Sequence, residues 1–482
     1  MKTNYDVSRS PKFRVLTDDQ IYELHLATLE VLEETGVQVE NAEALEMLHG
    51  AGAHVGKNGL VKIPSHLIEE AIRTAPQRIT LADRTGKRRM LLEDHRVYFG
   101  TNTDCPNIRD GVAGERRPFL RADGRNAAIV SDYLPNIDFV LTCGQYGDEP
   151  PEIGFEVCYK EMLLNTVKPA ILSTTTEKTL SNIVAMAEVV SGSAEDLAAN
   201  PIFIHYAEPI SPLRHCDEGV RRTFMCADKG IPVVYTSMPS GGATSPVTPA
   251  GALLIGNAEA LSGILLSQLR KKGAPCIYGT IPSMFDMSST VFSYGAPELN
   301  LCVAALADMG HYYRLPIFGT AGCSDSKFCD QQAAIESALT VYTGALSGAN
   351  LVHDTGLLES AITLSLEMMV MTDEIIGRVK KIMGGFDISR EALALDVIKS
   401  VGPGGHFLAE EHTLKHFREA WYPTVSDRRR FDSWVEAGSL SMGDRLNAKV
   451  KEILETHRCE PLSDGVVKEL DAMEKTWRKS VG

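Results

Sequence analysis

With 482 residues, 44% hydrophobic and 23% charged, the chain has the balance of a globular protein, enough for one large domain with extensions or two to three ordinary ones. Its 63 acidic against 48 basic residues leave a formal net charge of -15, which argues against a general binder of the nucleic-acid phosphate backbone and favours cationic partners or substrates. The N-terminus has no apolar core of a signal peptide and no later stretch reaches about 18 uninterrupted apolar residues, so a cytoplasmic protein without a membrane partner is expected.

The first element is a helix over 16–35, with apolar side chains at Ile21, Leu24, Ala27, Val31 and Leu32 and a stop at Gly36. Helices over 41–50 and 65–74 complete an N-terminal helical extension, 1–95, and the polar stretch from Asp83 to Arg88 connects it towards the core. From there eight short runs rich in Val, Ile, Phe and Tyr begin at Arg96, Phe139, Pro169, Pro201, Pro232, Pro275, Pro316 and Ala349. Most are separated by helical patterns such as 251–272, long enough to return the chain parallel. Five runs open on Pro, which a strand tolerates at its first position. Near-continuous apolar strands alternating with helices imply an α/β fold, a (β/α)8 TIM barrel over 96–370, with an open doubly wound sheet as the alternative. No Gly-x-Gly-x-x-Gly loop follows the first run to support a dinucleotide site in such a sheet. Helical residues 357–383, a Gly-rich segment at 401–408 and a polar helical tail follow, so 371–482 is expected to be a C-terminal helical extension packed on the barrel.

Ten cysteines are spread through the chain, mostly singly in apolar strings, and read as reduced core thiols. Neither Cys-x-x-Cys nor His-Glu-x-x-His occurs, so no metal is expected on this chain. His412 and His416 have the helical spacing of two metal ligands but no third that the sequence can place, and are taken as a surface pair.

A barrel carries its active site at the C-terminal ends of its strands. Those ends supply Asn102, Thr103 and Asp104; Gln145 and Tyr146; Thr174; His205, Tyr206 and Glu208; Thr236 and Ser237; Tyr278 and Thr280; Ser324 and Asp325; and His353 and Asp354. Together with Phe285, Phe292 and Tyr294, the tyrosines among them suit a quaternary ammonium held against aromatic faces, each worth roughly 0.5–2 kcal/mol, with Asp or Glu adding attraction. Packing of the barrel is the competing role for any one of these rings. His353 beside Asp354 suits an acid, a base or a hydrogen-bond donor. In the polar loop after the seventh run, Ser324 or Asp330 caps the next helix, and Cys323 and Cys329 are candidate nucleophiles without a locatable base.

The segments SDSKFCDQQAAIE (324–336), HDTGLLES (353–360) and VGPGGHFLAEEHTLKHFREAWYPTVSDRR (401–429) resemble the trimethylamine methyltransferase family, and the similarity runs from about residue 15 to residue 450. The resemblance implies a (β/α)8-barrel methyltransferase that works with a separate corrinoid protein. Founding members carry pyrrolysine in the barrel, whereas this chain uses only the twenty standard residues. It is similar to the members without pyrrolysine, which demethylate glycine betaine and related quaternary amines. The implied reaction passes a methyl group from N+ to the Co(I) of the partner's corrinoid, cob(I)alamin, and leaves a tertiary amine.

From strand-end position, Tyr146, Tyr206, Tyr278 and Phe285 are expected around N+. Asn102, Gln332 and His353 are expected to orient the substrate or bind its carboxylate, and His353 and Asp325 to take the catalytic roles. Two other possibilities are a zinc-dependent corrinoid methyltransferase for another donor, which stoichiometric zinc would reveal, and a non-catalytic quaternary-amine-binding barrel. The helical extensions at both ends suggest a homo-oligomer.

Overall fold

The computed structural model describes residues 5, 10–102 and 104–481, so Thr103 lies outside the described residues. Seven of the eight apolar runs form one parallel sheet, in the order Tyr98–Thr101, Leu351–Thr355, Ile317–Thr320, Cys276–Gly279, Val233–Tyr235, Phe203–Ala207, Ala170–Ser173. The remaining run closes it, because Phe139 bridges Gly100 and Val140 bridges Ala170, both in the parallel sense. The eighth position is thus filled by a segment with only single bridges, and the sheet becomes a barrel without edges. Strands such as Phe203–Ala207, Cys276–Gly279 and Leu351–Thr355 are buried at every residue, which is why they do not alternate between apolar and surface polar residues.

Helices cover the barrel where periodicity predicts them. Pro249–Arg270 starts on a Pro in its first turn, and Thr248 Oγ1 accepts the Gly251 N–H at 3.2 Å. Among the described residues this helix is long and apolar enough to cross a membrane by length and composition, and 78% of its apolar window is buried inside the protein.

The N-terminal extension holds the three expected helices, Asp18–Glu30, Ala42–Gly50 and Ser65–Thr74. Thr17 and Gln20 cap the first reciprocally, and it ends through the wider turn Val31–Thr35 at Gly36, whose φ of 82° suits glycine. The extension is not purely helical, however. Val37–Val39, Leu60–Lys62 and His54–Val55 form a sheet with Arg214–His215, a segment far along the chain. Asp83 to Arg88 is the tip of a hairpin, Ile79–Ala82 with Arg89–Leu92, rather than a plain connector. Asp83 Oδ1 accepts from the Thr85 N–H and hydroxyl and the Lys87 N–H there, the local bonding by which Asp builds turns.

Beyond the eighth strand, helix does not begin at 357. Leu357–Leu358 and Thr363–Leu364 pair with each other, and the latter joins the ribbon Asn107–Arg109 and Arg116–Pro118. The helix Leu366–Met383 starts where Ser365 Oγ accepts the Met368 N–H at 3.1 Å, and it runs across residue 370. It packs on the first strand, with Lys380 Nζ 3.2 Å from Asp138 and 5.6 Å from the Phe99 ring centre, as the last barrel helix. Two long helices, Met442–Thr456 and Asp464–Val481, return to the barrel by burying Leu446, Val450, Ile453 and Leu470.

Candidate active site

Strand alternation decides which side chains face the barrel axis. On the first strand Phe99 lies under Lys380 in the helix layer, so Gly100 and Asn102 turn inward. Gly100 is required there, since a Cβ would come within 2.1 Å of the Phe139 ring. On the fourth, Phe203 meets Tyr159 of the helix Gly154–Asn165, ring centres 5.9 Å apart, which sends Tyr206 and Glu208 inward. On the fifth, the Tyr235 hydroxyl bonds His215 Nδ1 at 2.6 Å in the helix layer, and Thr236 turns inward. Inside, Tyr206 stands edge-on to Phe318 at 5.6 Å and Phe318 lies 4.4 Å from the His353 ring.

Above these rings three carboxylates converge from the ends of the first, fourth and eighth strands: Asp104, Glu208 and Asp354. Asp104 accepts the hydroxyls of Thr142 at 2.6 Å and Ser173 at 2.8 Å. Asp354 accepts the Thr320 hydroxyl and sits 3.3 Å from His353 Nε2. His353 Nδ1 faces the Gly319 carbonyl at 2.9 Å and therefore carries hydrogen, so the contact of Nε2 with Asp354 is attractive only with one proton held between them. Burial pushes the Asp354 carboxyl up from its ordinary range, which favours keeping that proton. Glu208 is exposed to solvent within the barrel mouth, yet the protein packed around its carboxyl, beside the Tyr206 hydroxyl, raises its pKa by desolvation.

Burial and these neighbouring negative charges also raise the phenol of Tyr294, which the loop after the sixth strand brings in beside Asp354 and Glu208. Asp104, Cys143 and Asp354, at the ends of three adjacent strands, all have left-handed backbones, with φ of 53°, 61° and 87°. Such strain in non-glycine residues concentrates at functional sites. Two inward polar atoms, Asn102 Oδ1 and Thr236 Oγ1, are fully buried without a hydrogen-bond partner among the described residues. Alongside, a cavity of about 550 Å³ opens between Asp104, Thr142, Tyr146, Phe155, Cys158 and Thr175, a size that suits a small ligand.

Of the expected residues, Tyr206 and His353 both pack on Phe318, Asn102 turns towards the axis from the first strand, and Tyr146 borders the neighbouring cavity, stacked on Phe119. Phe285 lies on a hairpin opposite Phe292, whose ring meets Tyr294 edge-on at 5.1 Å. Three expected residues stand elsewhere. Tyr278 points outward, because alternation turns it into the helix layer, where its hydroxyl donates to Asn257 Oδ1 at 2.7 Å. Gln332 is exposed on a helix's first turn and donates to Glu336 at 2.9 Å. Asp325 has both oxygens occupied by the Ser293 and Ser360 hydroxyls and the Tyr294 and Gly295 N–H groups, which makes it a clasp for the hairpin rather than a free acid or base.

In the same loop Asp330 caps the helix Gln331–Ser347. Cys323 is buried with its thiol pushed well above the ordinary value, and Cys329 is pushed up to about 12, so neither is a ready thiolate. His412 and His416 contact Glu391 and Glu419 on the C-terminal extension. The chamber also uses Asp104, Glu208 and Thr236, which the sequence places at strand ends without a particular role, and Tyr294, which it places only among the aromatics. Period-two alternation from Tyr206 gives Glu208 its inward direction, whereas Tyr294 arrives on a loop, where no periodicity fixes which way it points.

A closed barrel with an acidic, aromatic chamber at the C-terminal ends of its strands defines a (β/α)8-barrel enzyme with a site suited to a cation. The chain belongs to the trimethylamine methyltransferase (MTTB) family, whose model matches residues 1–482. It is 36% identical over 467 residues to a trimethylamine methyltransferase of Desulfitobacterium hafniense (strain DSM 10664 / DCB-2), covering 97% of this chain and 94% of that protein. It is 31% identical to a glycine betaine methyltransferase of Desulfitobacterium hafniense (strain Y51), covering 98% of each. The fold is similar to that of the Methanosarcina barkeri monomethylamine methyltransferase, with a TM-score of 0.52 at 12% identity over 92% of this chain and 88% of that one.

Proposed function

We propose that this protein transfers a methyl group from a quaternary amine, with glycine betaine as the reference compound, to the Co(I) of a corrinoid held by a separate protein, leaving the tertiary amine. The observation that carries this reading is the chamber itself: Tyr206 and Tyr294 beside Asp104, Glu208 and Asp354, in a chain of this family. Aromatic faces and carboxylates attract N+ together, the rings contributing roughly 0.5–2 kcal/mol each. The corrinoid is the second substrate and supplies the nucleophile. The protein's own work is to hold the substrate nitrogen, turn one methyl group outward and exclude water.

A quaternary nitrogen leaves as a neutral amine, so no acid is needed to protonate it. His353 and Asp354, which already bind each other, serve to position the chamber wall. Phe285 and Phe292 on the hairpin cover it. Exposed apolar side chains on the C-terminal extension, including Phe386, Ile388, Leu408, Leu414 and Phe431, support association into a homo-oligomer. Ten free cysteines fit a cytoplasmic location.

The test mixes the protein with its reduced corrinoid partner and a quaternary amine and follows loss of Co(I) absorbance. Tyr206→Ala and His353→Ala should each slow that loss. If both leave it unchanged, this chamber is not the site.

A further inference from the structure

The amide and imidazole N–H groups expected to face the substrate are already bonded within the protein. Each residue expected to donate to a substrate carboxylate has its N–H groups engaged elsewhere. His353 uses Nδ1 on the Gly319 carbonyl and Nε2 on Asp354. Asn102 Nδ2 is shared between Cys105 Sγ at 2.9 Å and the Cys143 carbonyl at 3.2 Å. Gln332 is outside the chamber on Glu336.

What faces the axis instead is an acceptor. Asn102 Oδ1 is wholly buried and without a partner among the described residues, and it shares the chamber with the carboxylates of Asp104, Glu208 and Asp354. On the opposite side of the barrel Thr236 Oγ1 is equally unpartnered, and a hydroxyl serves donor or acceptor alike. The neighbouring guanidinium, Arg222, lies behind the barrel wall, where it donates to the carbonyls of Thr174 and Glu218. Lys327 is exposed and donates to the Asp325 carbonyl.

We infer that the chamber selects a quaternary ammonium with no carboxylate beside its nitrogen, a monocation whose other end is neutral or hydrogen-bond donating, over the zwitterion glycine betaine. This rests on the reading that the chamber binds N+. In glycine betaine one carbon separates the carboxylate from N+, so placing N+ beside Asp104 and Glu208 brings a third carboxylate into the same partly desolvated space, where the Thr236 hydroxyl is open but the cations Arg222 and Lys327 are engaged elsewhere. The carboxamide of glycine betaine has the same shape, loses that charge and gains an N–H for Asn102 Oδ1. Choline offers a hydroxyl for the same atom.

Isothermal titration of the full-length protein with glycine betaine, its carboxamide and choline, at one ionic strength, tests this. The carboxamide and choline should bind about tenfold or more tightly than glycine betaine, the effect expected from removing one close like-charge contact. Glu208→Gln should narrow the ratio by improving glycine betaine relative to the other two. Asp104→Asn supplies a second variant should the first lower the melting temperature. Glycine betaine binding as tightly as its carboxamide, or a ratio unchanged in both folded variants, overturns the inference and leaves methyl transfer from a quaternary amine standing. Failure of all three to bind overturns the underlying reading as well.

Discussion

Asp325→Ala separates a clasp from a catalytic group. Its carboxylate accepts the N–H groups of Tyr294 at 2.8 Å and Gly295 at 2.9 Å and the hydroxyls of Ser293 and Ser360. After truncation the hydroxyls can rotate to other acceptors, but the two backbone N–H groups keep their direction and lose theirs. Each such loss costs about 1–3 kcal/mol when buried, and half-burial of Asp325 lets water recover part, so about 2–3 kcal/mol of hairpin docking should go. That corresponds to an increase of about 30–150-fold in the undocked population. Amide hydrogen exchange at Tyr294 and Gly295 should quicken by this factor while the barrel strands stay protected, and methyl transfer should fall because Tyr294 is no longer held beside Glu208. Asp325→Asn, which retains one acceptor oxygen, should fall between. If transfer vanished while the exchange at Tyr294 and Gly295 stayed as slow as before, Asp325 would be acting in the chemistry and the clasp argument would be refuted.

Tyr278→Phe should leave methyl transfer unchanged, yet cost about 1–3 kcal/mol of stability in urea denaturation, because Asn257 Oδ1 loses its donor inside the helix layer; a specific loss of transfer would return Tyr278 to the site. Glu374 ties the C-terminal extension to the helix Leu366–Met383. Burial pushes its carboxyl up, but hydrogen bonds from Ser426, the Val425 N–H and Arg378 outweigh that and hold it down at about 2. As pH falls the unfolded state takes up this proton first, so roughly 3 kcal/mol present above pH 5 should be lost between about pH 4.5 and 2. Glu374→Gln should flatten the dependence of unfolding free energy on pH in that window, and an identical slope in both proteins would show that Glu374 does not set it.

Much of the architecture was written in local pattern. Eight apolar runs with helical spacers suffice for a parallel barrel, since strands buried on both faces must be apolar throughout and crossovers must be long. Caps at Thr17 and Asp330 and the stop at Gly36 are equally local, resting on bonds within a turn of the chain. Asn102, Tyr206 and His353 were legible for the same reason, as polar or aromatic residues at strand ends. Tertiary structure decided the rest. Whether Tyr278 faces axis or helix depends on the phase of alternation relative to Asn257, a partner on another element. That Asp325 is saturated depends on Ser293, Tyr294, Gly295 and Ser360 converging from two other loops. The sheet that joins Val37–Val39 to Arg214–His215 likewise needs segments distant in sequence. Sequence alone therefore determined the barrel and the end of it that carries the chemistry, because periodicity is a property of neighbours along the chain. Only the folded protein decided which side chains meet in the chamber and what hydrogen-bonding capacity they leave there, because those are properties of neighbours in space.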